Sequence, residues 1–243
     1  MWHLSHPLGA YFSKTWDRFF HYRFAFLFVS LLVPYLLHPM MKTEFQGILA
    51  LDLAFSLVLF MGVFALSDRN HIATTALVVV ILAQVLTWSS RAVSSHGLIV
   101  AGILFNMFYL IYAAGILFRH VIKSRSPTFH TIFASLCIYL LLGYIWAFVF
   151  SFLEDMAPGS FKFNPDLFLE LPKGRHLYSH LYYFMYFSFT TQTTLGFGDI
   201  LPASAWSRML TSMEAVLGQL YLVVMMTYLI GLHITERVKT KET

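Results

Sequence analysis

The chain has 243 residues, of which 58% are hydrophobic and only 12% are charged, with a formal net charge of +4 and one cysteine. Soluble domains carry about 25% charged residues, so this composition excludes an ordinary soluble protein and indicates a membrane protein. The single Cys137 excludes an intrachain disulfide and a thiolate metal cluster. The basic residues are scattered over the ends of apolar segments, which argues against a nucleic-acid partner.

Six windows are apolar over about 17 residues or more, the length that a membrane-spanning helix needs. The first is the weakest, because Pro34, His38 and Pro39 interrupt it. In chain order the windows are Phe24–Met41, Ile48–Leu66, Ile72–Trp88, Leu98–Phe118, Phe129–Leu153 and Met209–Leu232. They predict an all-α protein with six transmembrane helices in a lipid bilayer.

Lysine and arginine counts predict the orientation. No small-residue cleavage site of a signal peptide follows the first apolar run, and six spans bring both termini to one side. Ten of the 16 lysines and arginines then lie on that side, which predicts cytoplasmic termini for a multi-pass protein of the plasma membrane. Residues 1–23 form the N-terminal segment, either an interfacial helix or a disordered stretch, and residues 234–243 a short cytoplasmic tail.

The spans divide into two modules. Residues 24–118 hold four spans with short loops, and the polar, basic residues 119–128 link them to the second module, residues 129–233. Two long spans of this second module flank an insertion of roughly fifty residues. No internal repeat connects the two modules.

The insertion predicts a re-entrant loop. Turn dipeptides mark residues 154–178 as an outer loop. Residues 179–192 form an aromatic helix of about 18 Å at 1.5 Å per residue, which is too short to cross a bilayer. The extended segment 193–199 and the inner helix 205–232 follow. Such a loop is tolerated at membrane depth only when protein or water surrounds it.

The segment after the short helix reads TTLGFGD, residues 193–199. Glycines at alternate positions, Gly196 and Gly198, take positive φ without steric cost, so successive carbonyls can point to one side. A row of such carbonyls can replace the water shell of a monovalent cation, with the Thr194 hydroxyl as a further ligand. One chain supplies one row, which predicts that four chains surround the axis.

This module resembles the pore of tetrameric potassium channels, whose signature is usually written TVGYGD. An aromatic pore helix precedes the motif, Pro202 follows it, and Gly218 lies nineteen residues after Asp199. The run EAVLGQLYL, residues 214–222, resembles bacterial members, which implies a bacterial inner membrane. Leu195 and Phe197 depart from the usual Val and Tyr, so the filter lacks the tyrosine hydroxyl that can brace it.

The resemblance assigns roles residue by residue. It implies a homotetramer that conducts K⁺ passively, with no enzymatic activity and no cofactor beyond the permeant ion. K⁺ is expected at Thr194, Leu195, Gly196 and Phe197, with Gly198 completing the filter. Support is expected from Thr190, Thr193, Asp199 and Glu214, a hinge from Gly218, and a cavity and gate from Gln219, Leu222, Met226 and Ile230.

A carboxyl group within a span is costly, so Glu214 is a candidate functional residue. It lies four residues before Gly218, on a similar helical face. In the resembling fold that face meets the pore helix, so we expect Glu214 to form a hydrogen bond behind the filter, to Thr190 or nearby backbone. A purely structural bond between helices is the alternative.

The gating stimulus stays open at this level. The fourth window, Leu98–Phe118, contains no lysine or arginine, and its one strongly polar side chain is Asn106. This predicts a channel without conventional voltage gating, because a voltage sensor needs charges in that helix. His176 and His180 beside the filter are candidates for sensing external pH.

Three other functions are compatible with the sequence. A non-conducting regulatory subunit and a weakly selective cation channel would share the same architecture. The Gly-x-Gly-Asp at residues 196–199 also matches intramembrane aspartyl proteases, with Asp52 as the second carboxylate. That chemistry gives no role to Thr193-Thr194-Leu195 and leaves Pro202 between the motif and the last span.

Overall fold

The computed structural model describes residues 22–37, 44–65, 70–93, 96–124, 126–164 and 177–242. This part of the chain is mostly helical, with one two-stranded sheet. The helices are α1 Arg23–Leu37, α2 Glu44–Ala65, α3 Asn70–Val93, α4 His96–Lys123, α5 Phe129–Met156, α6 Leu177–Gln192 and α7 Ala205–Glu242. The strands are β1 Phe161–Phe163 and β2 Ile200–Pro202.

Three stretches within these helices are long and apolar enough to cross a membrane: Val100–Lys123, Phe129–Met156 and Ala205–Ile234. Shorter apolar stretches lie in α1, α2 and α3. A helix therefore falls on each of the six predicted windows, and three of them meet the length and composition of a span among the described residues. The count of six transmembrane helices stays a prediction.

The first window was predicted to be the weakest because of Pro34, His38 and Pro39, yet α1 continues past Pro34 to Leu37; a membrane helix tolerates proline where neighbouring groups satisfy the freed backbone. The last helix extends beyond its predicted limit. Helix α7 continues past the predicted end at residue 232 to Glu242, through the predicted tail. The sequence after residue 232 contains no glycine or proline to stop a helix.

The other boundary differences are smaller. Helix α6 begins at Leu177, two residues before the predicted start of the short helix, because leucine continues a helix readily. The last turn of α4 takes up the first part of the predicted linker, since α4 ends at Lys123. Residues 1–21, His38, Pro39 and residues 165–176 with His176 lie outside the described residues, as do the side chains of Asp52 and His180.

Helix α5 is the centre of the structure, since it contacts α1, α4, α6 and α7. Its polar side chains bond to the backbone of α1: the Tyr144 hydroxyl donates to the carbonyl of Leu31, and the Cys137 thiol donates to that of Phe24 at 3.3 Å. Both α5 side chains are completely buried. These contacts fix α1 against the module that carries the insertion.

Neutral hydrogen bonds join the other helices of the first module. The buried Asn106 of α4 donates to the Thr87 hydroxyl of α3 at 3.1 Å and to the carbonyl of Gly102 at 2.8 Å. The Tyr109 hydroxyl of α4 donates to the Leu59 carbonyl of α2 at 2.7 Å. The polar side chain predicted to stand out in the fourth window is therefore used in packing between helices.

Tyr228 in the C-terminal half of α7 contacts the C-terminal end of α4. The Tyr228 hydroxyl lies 2.8 Å from the carbonyl of Ile122 and 3.1 Å from that of Ser124. Because α4 ends at Lys123, this hydroxyl meets carbonyls that have no partner inside the helix. The contact joins the inner helix to the first module.

Candidate functional site

The segment Thr193–Gly198 leaves the C-terminal end of α6 and is exposed throughout. Its first amides fold back onto the helix. The N–H of Leu195 and the N–H of Gly196 both donate to the carbonyl of Thr190, at 2.8 and 3.1 Å. The inner end of the segment is thus anchored by a carbonyl that the helix itself leaves free.

The backbone of this segment alternates. Thr194, Gly196 and Gly198 have positive φ values of 61°, 50° and 78°, whereas Leu195 and Phe197 between them do not. Thr194 is the one non-glycine residue with positive φ in the described part of the chain. Alternation of this kind lets successive carbonyls face one side, which an ordinary strand does not allow.

Conformation, not crowding, requires glycine in the segment. A Cβ added at Gly196 or Gly198 would meet no atom within 4 Å. An L-residue at positive φ nevertheless costs roughly 1–2 kcal/mol, and a β-branched residue such as Thr194 is a clear outlier there. The segment therefore holds a strained backbone that its surroundings must maintain.

Asp199 anchors the outer end. The Tyr186 hydroxyl of α6 donates to Asp199 Oδ2 at 2.6 Å, the N–H of Ile200 donates to Oδ1 at 2.9 Å, and the N–H of Asn164 donates to the Asp199 carbonyl at 2.9 Å. Burial and the bond to Asp199 both raise the pKa of Tyr186. The phenol therefore stays protonated as the donor.

Tyr186 also supports Phe197, the position where the resembling family has tyrosine. The two rings stack with centroids 6.3 Å apart and planes 4° apart. Phe197 itself is 65% exposed. A hydroxyl is thus present at the outer end of the segment, but α6 supplies it. The sequence offered no direct signal for this partner beyond the aromatic character of the short helix.

A small sheet holds the chain that follows Asp199. Strand β1 pairs antiparallel with β2, with Lys162 opposite Leu201. The carbonyl of Ser160 accepts hydrogen bonds from the N–H of Ala203 at 2.8 Å and from the Ser207 hydroxyl at 2.7 Å. The described part of the predicted outer loop therefore includes strand β1, and its hydrogen bonds hold the outer end of the segment in place.

Phe161 secures this strand to the helices. Its ring packs edge-on against Phe150 of α5, at 5.5 Å between centroids, and against Phe184 and Phe187 of α6, at 4.9 and 5.4 Å. All four rings are buried. Edge-to-face aromatic pairs contribute about 0.5–1.5 kcal/mol each beyond their burial, so Phe161 anchors strand β1 to the aromatic core.

Gln192 at the end of α6 is a site residue that the sequence reasoning missed. Its side chain is 1% exposed, and its Nε2 donates to the Tyr139 carbonyl of α5 at 2.9 Å. A Cβ at Gly143 of α5 would lie 2.7 Å from Gln192 Oε1, and one at Gly218 of α7 would lie 2.7 Å from its Cγ. Two glycines on different helices therefore leave room for this one side chain.

This geometry gives Gly218 a packing role. It was predicted as a hinge, yet α7 is helical on both sides of it. The glycine allows α7 to approach the carbonyl of Gln192, only 3.0 Å from the position of an added Cβ. Hinge motion stays a prediction. Gly143 and Gly218 lie 75 positions apart in the sequence, so only the fold reveals their shared neighbour.

Glu214 of α7 is 0% exposed and faces α6. Its carboxyl Oε1 forms a hydrogen bond with the Ser188 hydroxyl of α6, and Ser188 also contacts the Gly143 carbonyl of α5 at 2.7 Å. The expected partner Thr190 instead donates to its own helix, to the Phe187 carbonyl at 2.9 Å. Residues two apart on a helix point in nearly opposite directions, so Ser188 faces α7 and Thr190 does not.

The remaining predicted residues lie as follows. Thr193 donates its hydroxyl to the Phe189 carbonyl at 2.6 Å, which closes the last turn of α6. The predicted cavity and gate residues are all exposed on α7 in the single chain, and they are Gln219, Leu222, Met226 and Ile230. The described residues contain no group of three or more His, Cys, Asp or Glu that could hold a metal ion.

Replacing Gly218 with Ala should destabilise the protein, because the new methyl group overlaps Gln192. Overpacking of a tight site costs about 1–3 kcal/mol, more than the gain in helix propensity from Gly to Ala of about 0.5–1 kcal/mol. Thermal unfolding of the purified protein in detergent measures the difference. Gly115→Ala in α4 is the matched control, since nothing lies within 4 Å of its added Cβ. A Gly218→Ala protein as stable as wild type would contradict the packing role.

Tyr186→Phe should loosen the outer end by removing the hydrogen bond to Asp199. Hydrogen bonds to charged groups contribute about 1.5–3 kcal/mol, so we expect a lower unfolding temperature and faster amide exchange at Ile200. Tyr112→Phe is the control, because the Tyr112 hydroxyl forms no hydrogen bond within the described residues. Equal exchange at Ile200 in the wild type and the Tyr186 variant would show that this bond does not hold the segment.

Comparison with known proteins gives one match. Residues 129–233 match the model of a family described as ion channel. These residues comprise α5, α6, the segment that follows α6 and α7 up to residue 233, and they coincide with the part of the sequence that resembles potassium channels. No curated protein and no solved structure matches the chain. The family match supports an ion channel, carried by this part of a multi-pass membrane protein, and points to transport rather than catalysis.

Proposed function

We propose that the chain is the pore-forming subunit of a potassium-selective channel that conducts passively as a homotetramer in the plasma membrane. The observation that carries this proposal is the alternation of positive φ at Thr194, Gly196 and Gly198. It occurs in an exposed segment, within the residues that match the ion channel family. The carbonyls of Thr194, Leu195, Gly196 and Phe197 are the proposed K⁺ ligands.

Helix α6 favours a cation at the inner end of this segment. The C-terminal end of a helix carries a partial negative charge, and α6 ends at Gln192, directly before the segment. A carbonyl row then replaces the hydration shell of an ion that has left this region. Selectivity for K⁺ over Na⁺ requires the row to keep its shape, which the anchors at Thr190 and Asp199 support.

The exposed apolar face of α7 supports assembly of four chains. Val216, Leu220 and Val223 are each more than half exposed in the single chain. One chain provides one row of carbonyls, whereas coordination of an ion on an axis needs several. In the tetramer, the cavity would be lined by Gln219, Leu222 and Met226. Ile230 would form the gate, and α7 would bend at Gly218.

The chain is proposed to open without conventional voltage sensing. Residues 98–118 of α4 carry no lysine or arginine, and Asn106 is used in bonds to neighbouring backbone and to Thr87. A field across the membrane therefore has little charge to act on in this helix. The contact of Tyr228 with the end of α4 is a route by which the first module can restrain the inner helix.

The filter assignment is tested by Gly196→Ala. Four L-alanines at positive φ would together cost about 4–8 kcal/mol in the filter conformation, at roughly 1–2 kcal/mol each. In liposomes that contain only the purified protein, the wild type should conduct K⁺ in preference to Na⁺. The variant should lose K⁺ flux or its preference.

The control and the alternatives follow from the same assay. Gly115→Ala should conduct like wild type, because its Cβ meets open space. Selective flux in Gly196→Ala would refute the filter assignment. If the wild type shows no flux at any pH or voltage, the result would favour a regulatory subunit. If K⁺ and Na⁺ flux are equal, the result would favour a weakly selective channel. Unchanged flux after Asp52→Asn would agree with the channel, whereas proteolysis that this change abolishes would favour the protease.

Voltage dependence is checked in planar bilayers. One elementary charge moved through the field contributes about 2.3 kcal/mol per 100 mV, and a sensor needs several. We expect the open fraction to change with voltage no more steeply than about one such charge per channel. A steeper relation would place gating charges outside residues 98–118.

A further inference from the structure

Two side chains and one backbone carbonyl form a polar chain between α5, α6 and α7. Glu214 of α7 contacts Ser188 of α6, and Ser188 contacts the carbonyl of Gly143 in α5. Glu214 and Ser188 are both 0% exposed. Each of the three helices that surround the inner end of the segment Thr193–Gly198 thus supplies one member.

The number of hydrogens in this chain determines its direction. A serine hydroxyl has one hydrogen to donate. The Gly143 carbonyl can only accept, so the 2.7 Å contact with it requires the Ser188 hydrogen. The contact between Ser188 and Glu214 then needs a hydrogen from the carboxyl group. An ionised Glu214 would leave one of the two contacts as a close approach of two oxygens with no hydrogen between them.

The surroundings of Glu214 agree with a neutral acid. Its second oxygen, Oε2, is buried and has no hydrogen-bond partner in the part of the chain that the structure describes. Within the described residues, no basic side chain forms an ion pair with it. A buried charge without a partner is very costly, whereas a neutral carbonyl oxygen without one costs much less. Tyr139 of α5 interacts electrostatically with Glu214, and its phenol donates a hydrogen bond to the Gln192 carbonyl at 3.4 Å.

We propose that Glu214 is a positioning residue that carries a proton on Oε1 and donates it to Ser188, so that a neutral hydrogen-bond chain Glu214–Ser188–Gly143 fixes α6 between α5 and α7. Among the described residues Glu214 forms its hydrogen bond with Ser188 and none with the segment Thr193–Gly198; it acts through Ser188, one turn before Gln192. Given the proposed channel function, this chain holds the pore helix without adding a negative charge beside the ion path.

Infrared spectroscopy of the purified protein tests the protonation directly. At about pH 8, exposed carboxyl groups are ionised, so a protonated acid gives a band in an otherwise empty region above amide I. The wild type should show such a band, shifted in heavy water, and Glu214→Gln should lose it. Ser188→Ala should keep the band at higher frequency, because the acid loses its acceptor. Loss of a carboxylate band in Glu214→Gln, with no acid band in the wild type, would overturn the proposal.

Glu154→Gln is the matched control. Glu154 accepts hydrogen bonds from the N–H of Gly159 at 2.7 Å and of Phe161 at 2.9 Å, so both its oxygens act as acceptors. Its replacement should remove carboxylate absorption and leave the acid band unchanged. Loss of the acid band in Glu154→Gln would assign the proton to the wrong residue and overturn the proposal.

Flux separates the positioning role from the channel proposal. Glutamine can donate to Ser188 as the protonated acid does, so K⁺ flux of Glu214→Gln should stay within about twofold of wild type. Glu214→Leu should lose both flux and thermal stability. Severe loss in Glu214→Gln would contradict the neutral donor. Absence of flux in the wild type would count against the channel alone, since the infrared bands do not depend on conduction.

Discussion

The strained backbone of Thr193–Gly198 can persist only because both of its ends are anchored. The segment is exposed, a Cβ added at either of its glycines would meet no atom of the described residues within 4 Å, and Thr194 adopts a φ that threonine normally avoids. At the inner end the Thr190 carbonyl accepts two amides, and at the outer end Asp199 receives three hydrogen bonds. Packing in the rest of the second module keeps these two anchors in place.

Helix α6 supplies a partner at each anchor, the Thr190 carbonyl at the inner end and the Tyr186 hydroxyl at the outer end, so the position of α6 decides the shape of the segment. Close packing fixes its inner end, where Gly143 and Gly218 leave just enough room for Gln192. Aromatic packing fixes its outer half, where Phe161 of the small sheet lies between α5 and α6. A polar chain through Ser188 joins the three helices between these two levels. Close packing of side chains and hydrogen bonds therefore both fix the position of α6.

The first module, residues 24–118, differs in character from the second. Its described helices are joined by neutral hydrogen bonds such as those of Asn106 and Tyr109. Such bonds within membranes contribute modestly, about 0.6 kcal/mol on average, and do not respond to an electric field as charges would. This module joins the second module where α4 packs on α5, where Tyr144 and Cys137 bond to α1, and where Tyr228 bonds to the end of α4. The module is therefore suited to support α5 and α7.

Much of the architecture is determined by patterns local in the sequence. Apolar windows are readable because a membrane helix must satisfy its own backbone, and α4, α5 and α7 lie where those windows predicted. The motif at residues 193–199 predicted positive φ at Gly196 and Gly198, because only glycine takes positive φ freely. The tertiary structure alone decided the partners. Which hydroxyl reaches Asp199, which serine meets Glu214 and which side chain fills the space beside Gly218 depend on helices that are distant in sequence. Helix periodicity gives the face of a residue, but only packing brings two faces together, so Tyr186, Ser188 and Gln192 could not be found from the chain alone.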